Sequence, residues 1–199
     1  SLPFARGKHI KENFVGAHFA NYDSFLILSH FKGHSMAGFG GAIKNVAIGI
    51  ASAEGKMWIH TGGETRALGR FILCYKVKKE LFLESMAEAA GSVVEKLGTD
   101  RIVYVSLMNN LSIDCDCDSH PHAPEMKDIG ILASLDPVAL DQACLDLVYA
   151  VRPSEGNDNR PLVERIESRH GRHTVEYAEK IGLGSRKYEL KELKPQQAV

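Results

Sequence analysis

One tryptophan, four cysteines and no long apolar run are the scarcities that first constrain this 199-residue chain. A membrane-crossing helix needs about 20 consecutive apolar residues, and no stretch comes near that. Ser1-Leu2-Pro3-Phe4-Ala5-Arg6 lacks the charged and hydrophobic regions of a signal peptide. A soluble, cytoplasmic protein without a membrane partner is expected. The cysteines, at positions 74, 115, 117 and 144, are too few and too uneven for a disulfide-stapled secreted scaffold, which leaves them as thiols. Excess charge is missing too, since 24 basic and 25 acidic residues leave a net charge of -1. Such a balance gives no field to attract nucleic acid or anionic membrane. The chain also lacks an initial Met, and its first residues read as the middle of an ordered segment, so an upstream part is expected to be missing.

What is present suffices for one core. At 44% hydrophobic content, residues 1-190 are expected to form one α/β domain, followed by a polar, frayed tail over 191-199. The order of elements implies a central, mostly parallel or mixed sheet with helices packed on it. Ser24 to Ser29 is a short apolar run bounded by Asn21-Tyr22-Asp23, as a buried strand would be. A loop from His30 to Ser35 and the glycine-rich Gly38-Phe39-Gly40-Gly41 lead into Ala42 to Ala51, whose small apolar residues suit a tightly packed helix. Phe82, Met86, Ala89, Ala90, Val93 and Leu97 recur at helical spacing between Glu80 and Leu97, with Gly98 as the stop. Strands are expected at Arg101 to Met108 and Ile129 to Ala133. Asp136-Pro137 supplies a cap and a first-turn proline for a helix to about Val151, which makes Asp136 a cap rather than a catalytic acid and Cys144 a buried, inert thiol. Two shorter helices, at 161-168 and 174-181, and a last strand from Tyr188 to Leu190 complete the expected order.

The chemistry is concentrated in one loop. Asp114-Cys115-Asp116-Cys117-Asp118-Ser119-His120-Pro121-His122 packs two thiols, three carboxylates and two imidazoles into nine residues. Thiolates and imidazoles suit zinc, iron and other borderline or soft metals, and the carboxylates attract a cation. The same carboxylates raise a thiol's pKa and so disfavour a free, reactive thiolate. Two cysteines leave a four-ligand site incomplete, and His30, His34 and His60 are the candidates to complete it. Cys115, Cys117, His34 and His60 form the expected metal set. A nucleophilic cysteine and a merely solvated acidic loop compete with it, and any one of the histidines taken alone reads as an ordinary hydrogen-bonded side chain.

Lys32, Gly40, Gly41 and Lys44 form a second candidate, an anion site in which glycine permits close backbone approach and a helix N-terminus offers free N-H groups. The run matches neither the Walker pattern, which needs Gly-Lys-Ser/Thr, nor the dinucleotide fingerprint, which needs glycine where Ile43 stands. Tight packing of helix on sheet explains these glycines equally well.

His30-Phe31-Lys32-Gly33-His34, Gly40-Gly41-Ala42-Ile43-Lys44-Asn45, Gly55-Lys56 with His60, Asp114-Cys115-Asp116-Cys117 and Ser134-Leu135-Asp136-Pro137-Val138-Ala139 occur in that order. Together they resemble the Domain of Unknown Function 362 family, from about Gly7 to Gly184. The resemblance implies an association with iron-sulfur chemistry, because many members carry a ferredoxin-type insert that binds such clusters. It also implies a long stretch ahead of the first residue here. The insert usually follows the segment that ends at His60, yet this chain passes from Thr61-Gly62-Gly63 to the helix with only Cys74 on the way. A four-iron cluster needs about four thiolates, and no ferredoxin cysteine run supplies them.

The leading expectation is a metal-binding protein with a redox or metal-dependent role, enzymatic or not, using zinc or iron at Cys115, Cys117, His34 and His60, with a small polar or anionic ligand on Lys32 and Lys44. An electron-transfer accessory module with an iron-sulfur redox partner, as the resemblance suggests, is the second. A phosphate or nucleotide binder using Gly38 to Lys44 is the third.

Overall fold

The computed structural model describes residues 1-193. The chain opens with an antiparallel ribbon, β1 (Leu2–Pro3) on β2 (Glu12–Asn13), and enters the main sheet at β3 (Phe25–His30). A hairpin of β4 (Lys32–His34) and β5 (Gly38–Gly40) follows. Next come α1 (Ala42–Lys44), a π-helical turn over Asn45–Gly49, and α2 (Ala53–His60). A 3₁₀ segment over Leu68–Tyr75 leads to α3 (Lys79–Leu97) and β6 (Ile102–Met108). The Cys loop, β7 (Gly130–Ser134), α4 (Pro137–Ala150), α5 (Arg160–Ser168) and α6 (His173–Lys180) complete the order.

The sheet is mixed, as the element order implied. Central β6 runs parallel to β3, with Ile27 opposite Tyr104, and antiparallel to β7, with Tyr104 opposite Ser134. Parallel pairing needs a long crossover, and α1, α2 and α3 form it. Strand alternation then sorts the side chains. Ile27, Ser29, Ile102, Tyr104, Ser106 and Met108 are buried on the face that carries α1 and α4, whereas Leu26, Leu28, Val103 and Ile131 stand exposed on the opposite face.

Helix α3 is central to the core. Its expected apolar stripe is wider than the spacing suggested, because Leu83, Ala87 and Val94 are buried along with Phe82, Met86, Ala89, Ala90 and Val93. Burial nearly all round marks a helix enclosed by partners, and here these are α2, α6, the π turn and the N-terminal ribbon. Small residues permit the close approach: a Cβ on Gly91 would lie 2.8 Å from Phe4 Cζ. Gly98, at φ 94°, ends the helix in a conformation that a side chain would resist. Asp136 caps α4 by accepting from the backbone N-H groups of Val138 (2.8 Å) and Ala139 (3.1 Å). Cys144 is fully buried on that helix, where burial pushes its thiol up to about 12 and leaves it inert at neutral pH.

Local structure departs from expectation at three places. Lys32–His34 and Gly38–Gly40 are not loop but paired strands, with Lys32 opposite Gly40. The stretch from Ala42 is not a regular helix either, since it widens after one turn. There Asn45 Nδ2 donates to Leu28 O (2.8 Å) and Ser29 Oγ (3.0 Å), and its Oδ1 takes the space that a Cβ on Gly49 would need, 2.7 Å away. Tyr188 to Leu190 forms no strand. It reaches no sheet edge, and β propensity without a ladder partner does not make a strand; instead the Tyr188 hydroxyl donates to Asp146 (2.7 Å). The expected tail from 194 onward lies outside the described residues. Among those described, no helix is long and apolar enough to cross a membrane.

Candidate metal centre

Strands β3 and β6 end side by side, His30 opposite Leu107, so the segments leaving them share one end of the sheet, where α/β sites form. The next contact is stricter. Gly33 N-H donates to Ser112 O (2.8 Å), and a Cβ on Gly33 would lie 2.1 Å from Ile113 O. Only glycine lets the hairpin lie this close to the approach to Cys115. The outcome is a cluster in which one ligand atom each of His34, Cys115 and Cys117 lies within 4.8 Å of the others, a group that could hold a metal ion. The two sulfurs are 2.8 Å apart.

The loop carrying the thiols is held at its base. Asp114 accepts from the backbone N-H (3.1 Å) and Nδ1 (2.6 Å) of His122, which closes the loop, and from Arg165 Nη1 (3.2 Å) on α5. The same Arg165 nitrogen donates to Ile113 O (3.0 Å). His122, and then Arg165, hold the Asp114 carboxyl below its usual range. Asp116, between the cysteines, accepts from Lys32 Nζ (2.7 Å) and His30 Nδ1 (2.9 Å). Burial alone would raise the Asp116 pKa, but the bonds from Lys32 and His30 outweigh it and lower it.

His34 is buried, and its Nδ1 accepts from the N-H groups of Met36 (3.2 Å) and Ala37 (3.0 Å). Burial, reinforced by Lys44, His60, Lys32 and Arg165, drives its pKa down to about 3. The ring is therefore neutral at pH 7, with its proton on Nε2. Two thiols suit a soft or borderline cation directly. His34 fits on one condition: ligation through Nε2 must expel that proton, because Nδ1 accepts bonds where a metal-bound histidine usually donates one. The Cys117 thiol pKa is raised by its hydrogen bond to Cys115 and by burial, which disfavours the Cys117 thiolate in the absence of a cation.

His60 stands outside this group. It ends α2 with Nδ1 donating to Lys56 O (2.7 Å), and its ring stacks on Phe82 with centroids 4.8 Å apart. Burial lowers its pKa. Both ring nitrogens of His30 are engaged, by Asp116 and by Asn109 O (2.7 Å).

Lys32, Gly40, Gly41 and Lys44 come together with Lys56, His30 and Asp116 around an open cavity of about 380 Å³ beside the thiols. Burial lowers the Lys44 pKa, partly countered by Cys115. Gly41 fits because a Cβ there would lie 2.3 Å from Asp141 Oδ1. Asp141, fully buried on α4, accepts from the N-H groups of Ala42 (2.6 Å) and Ile43 (2.9 Å) and so holds the turn that carries Lys44. Its role gave no sign in the sequence, where it is one of three polar residues, with Gln142 and Asp146, on a largely apolar helix.

Asp141 has a consequence for stability. Burial raises its carboxyl pKa to about 7, against the two amide bonds that favour the anion. A group raised on folding contributes fully below its unfolded pKa, near 3.8, and loses that contribution as pH rises through about 7. Denaturant midpoints at pH 5 and pH 8 are therefore expected to differ less in Asp141→Asn than in the unsubstituted protein.

Residues 1–146 match the family model described as a domain of unknown function, DUF362, and the chain belongs to that family. No curated protein and no solved structure matches it.

Proposed function

We propose that this DUF362 protein works through a transition metal held by Cys115 and Cys117 with His34 as the third ligand. The observation carrying this is the convergence of three ligand-type side chains from two separate segments to within 4.8 Å. Packing alone gives no reason to bring two thiols and an imidazole together at the mouth of a sheet. Three ligands would leave a coordination position for water or substrate, the arrangement of catalytic rather than structural zinc. Elemental analysis of protein purified without a histidine tag tests the proposal. Zinc or iron in equimolar amount, lost when both Cys115 and Cys117 are changed to Ser, is expected. No transition metal bound, and none taken up when offered, would overturn it.

A second role is favoured by two details, the 2.8 Å sulfur contact and the Nδ1 acceptor of His34. Cys115 and Cys117 would then serve as a dithiol, giving two electrons and two protons to an acceptor disulfide as their own bond forms. This would suit the redox partner implied by the iron-sulfur members. Metal-free protein whose free thiols fall by two on exposure to oxidised glutathione, reversibly with reductant, would support it.

A further inference from the structure

The cavity beside the thiols has a charge pattern that the metal does not explain. Lys32, Lys44, Lys56 and His30 line it, and among the described residues Asp116 is the sole carboxylate in its wall. Asp116 is engaged by Lys32 and His30, while neither Lys44 nor Lys56 has an ion-pair partner among the described residues. Gly40 forms the floor under the first two lysines, with its absent Cβ 3.5 Å from both Lys32 Cε and Lys44 Cδ. A Cβ there makes ordinary contact with both stems, and a longer side chain would fill the space between them. The π-helical turn adds Asn45, Ile48 and Gly49 to the wall; such turns recur at functional sites.

From this geometry we infer that the cavity binds a small dicarboxylate, and that Asp116 is its built-in competitor. The Asp116 carboxylate already sits on Lys32 (2.7 Å) and His30 (2.9 Å), which shows that these two donors accept a carboxylate. Its side chain is 57% exposed, so it can leave for water at little cost. One carboxylate of the ligand takes its place, and the other meets the unpaired charges of Lys44 and Lys56. A cavity of about 380 Å³ accepts a four- to six-carbon acid and is too small for a dinucleotide. Because Asp116 lies between Cys115 and Cys117, its release also frees the segment carrying the thiols. That coupling rests on the proposed metal centre; binding of the acid does not.

Calorimetric titration of chelator-treated, metal-free protein with succinate tests the inference whether or not the metal centre is real. Succinate is expected to bind the unsubstituted protein, and to bind Asp116→Asn on the order of fivefold more tightly, the equivalent of one partly exposed ion pair. Lys44→Ala, and separately the exposed Lys56→Ala, are expected to weaken it about tenfold each. Acetate, with one carboxylate, should bind more weakly than succinate. No succinate binding, equal affinity in Asp116→Asn and the unsubstituted protein, or tighter binding of inorganic phosphate than of succinate would each overturn it.

Discussion

Replacing Cys117 with Ser is expected to weaken zinc binding about one hundredfold, measured by competition with a chromophoric chelator. Binding of zinc by a four-ligand protein site amounts to some 10–16 kcal/mol, or about 3 kcal/mol per ligand, and a hydroxyl is a poor substitute for a thiolate. Cys115→Ser is expected to do the same, because both sulfurs belong to the group whose ligand atoms lie within 4.8 Å of one another. The histidines separate the three-ligand centre from the four-ligand set read from the sequence. His34→Ala, at the proposed third ligand, is expected to weaken zinc, whereas His60→Ala, which removes a ring stacked on Phe82, is expected to leave zinc affinity unchanged. A hundredfold loss in His60→Ala, with none in His34→Ala, would place the centre on the wrong histidine.

A comparably large effect is expected far from the thiols. Glu88 is fully buried on α3, and its carboxylate accepts from the N-H groups of Lys8 (2.6 Å), His9 (3.0 Å) and Ile10 (2.8 Å) and from the Tyr177 hydroxyl (2.7 Å). One side chain thus fastens the N-terminal ribbon and α6 to the central helix. Glu88→Ala leaves these donors without their acceptor in a site closed to bulk water, and is expected to cost about 3–5 kcal/mol in chemical denaturation. Glu88→Gln should cost less, since its single oxygen still accepts. A loss under about 1 kcal/mol for Glu88→Ala would mean that water replaces the carboxylate.

One helical turn earlier, Glu84 shows a related pattern with the opposite dependence on pH from Asp141. Burial would raise its pKa, but bonds from His9, His173 and Lys8 hold it down to about 2. A depressed carboxyl contributes stability above its unfolded value, near 4.5, and loses it as pH falls toward about 2.

The sequence made the regular elements legible wherever a local signal coincides with the tertiary environment. The apolar repeat of α3, the Gly98 stop and the Asp136-Pro137 start of α4 are of this kind, since periodicity and capping are settled within a few residues. The β4–β5 hairpin escaped because its glycines serve contacts instead of propensity: Gly33 is fitted to Ile113 O, and Gly38, at φ 81°, to the backbone of Gly171. Tyr188 to Leu190 failed in the opposite sense, with β-prone side chains and no edge to join.

At the site, the density of thiols and carboxylates identified the loop, and the lysines were marked by the glycines beside them. Distance was not legible. His34 and His60 looked alike as loop-end or segment-end histidines, and only the hairpin's close approach to Ile113 distinguishes them. Arg165 and Asp141, which hold the loop and the Lys44 turn, come from helices remote in sequence and carry no local mark.

Titration of metal-free protein with cobalt(II), followed by absorption, tests the centre most directly, because thiolates bound to cobalt give an intense near-ultraviolet band that carboxylates and imidazoles do not. The band is expected to rise to saturation at one cobalt per chain, to weaken in Cys115→Ser and in Cys117→Ser, to vanish when both are replaced, and to persist in His60→Ala. A spectrum no different from that of aqueous cobalt, or a full band in the double variant, would contradict a metal centre at Cys115 and Cys117.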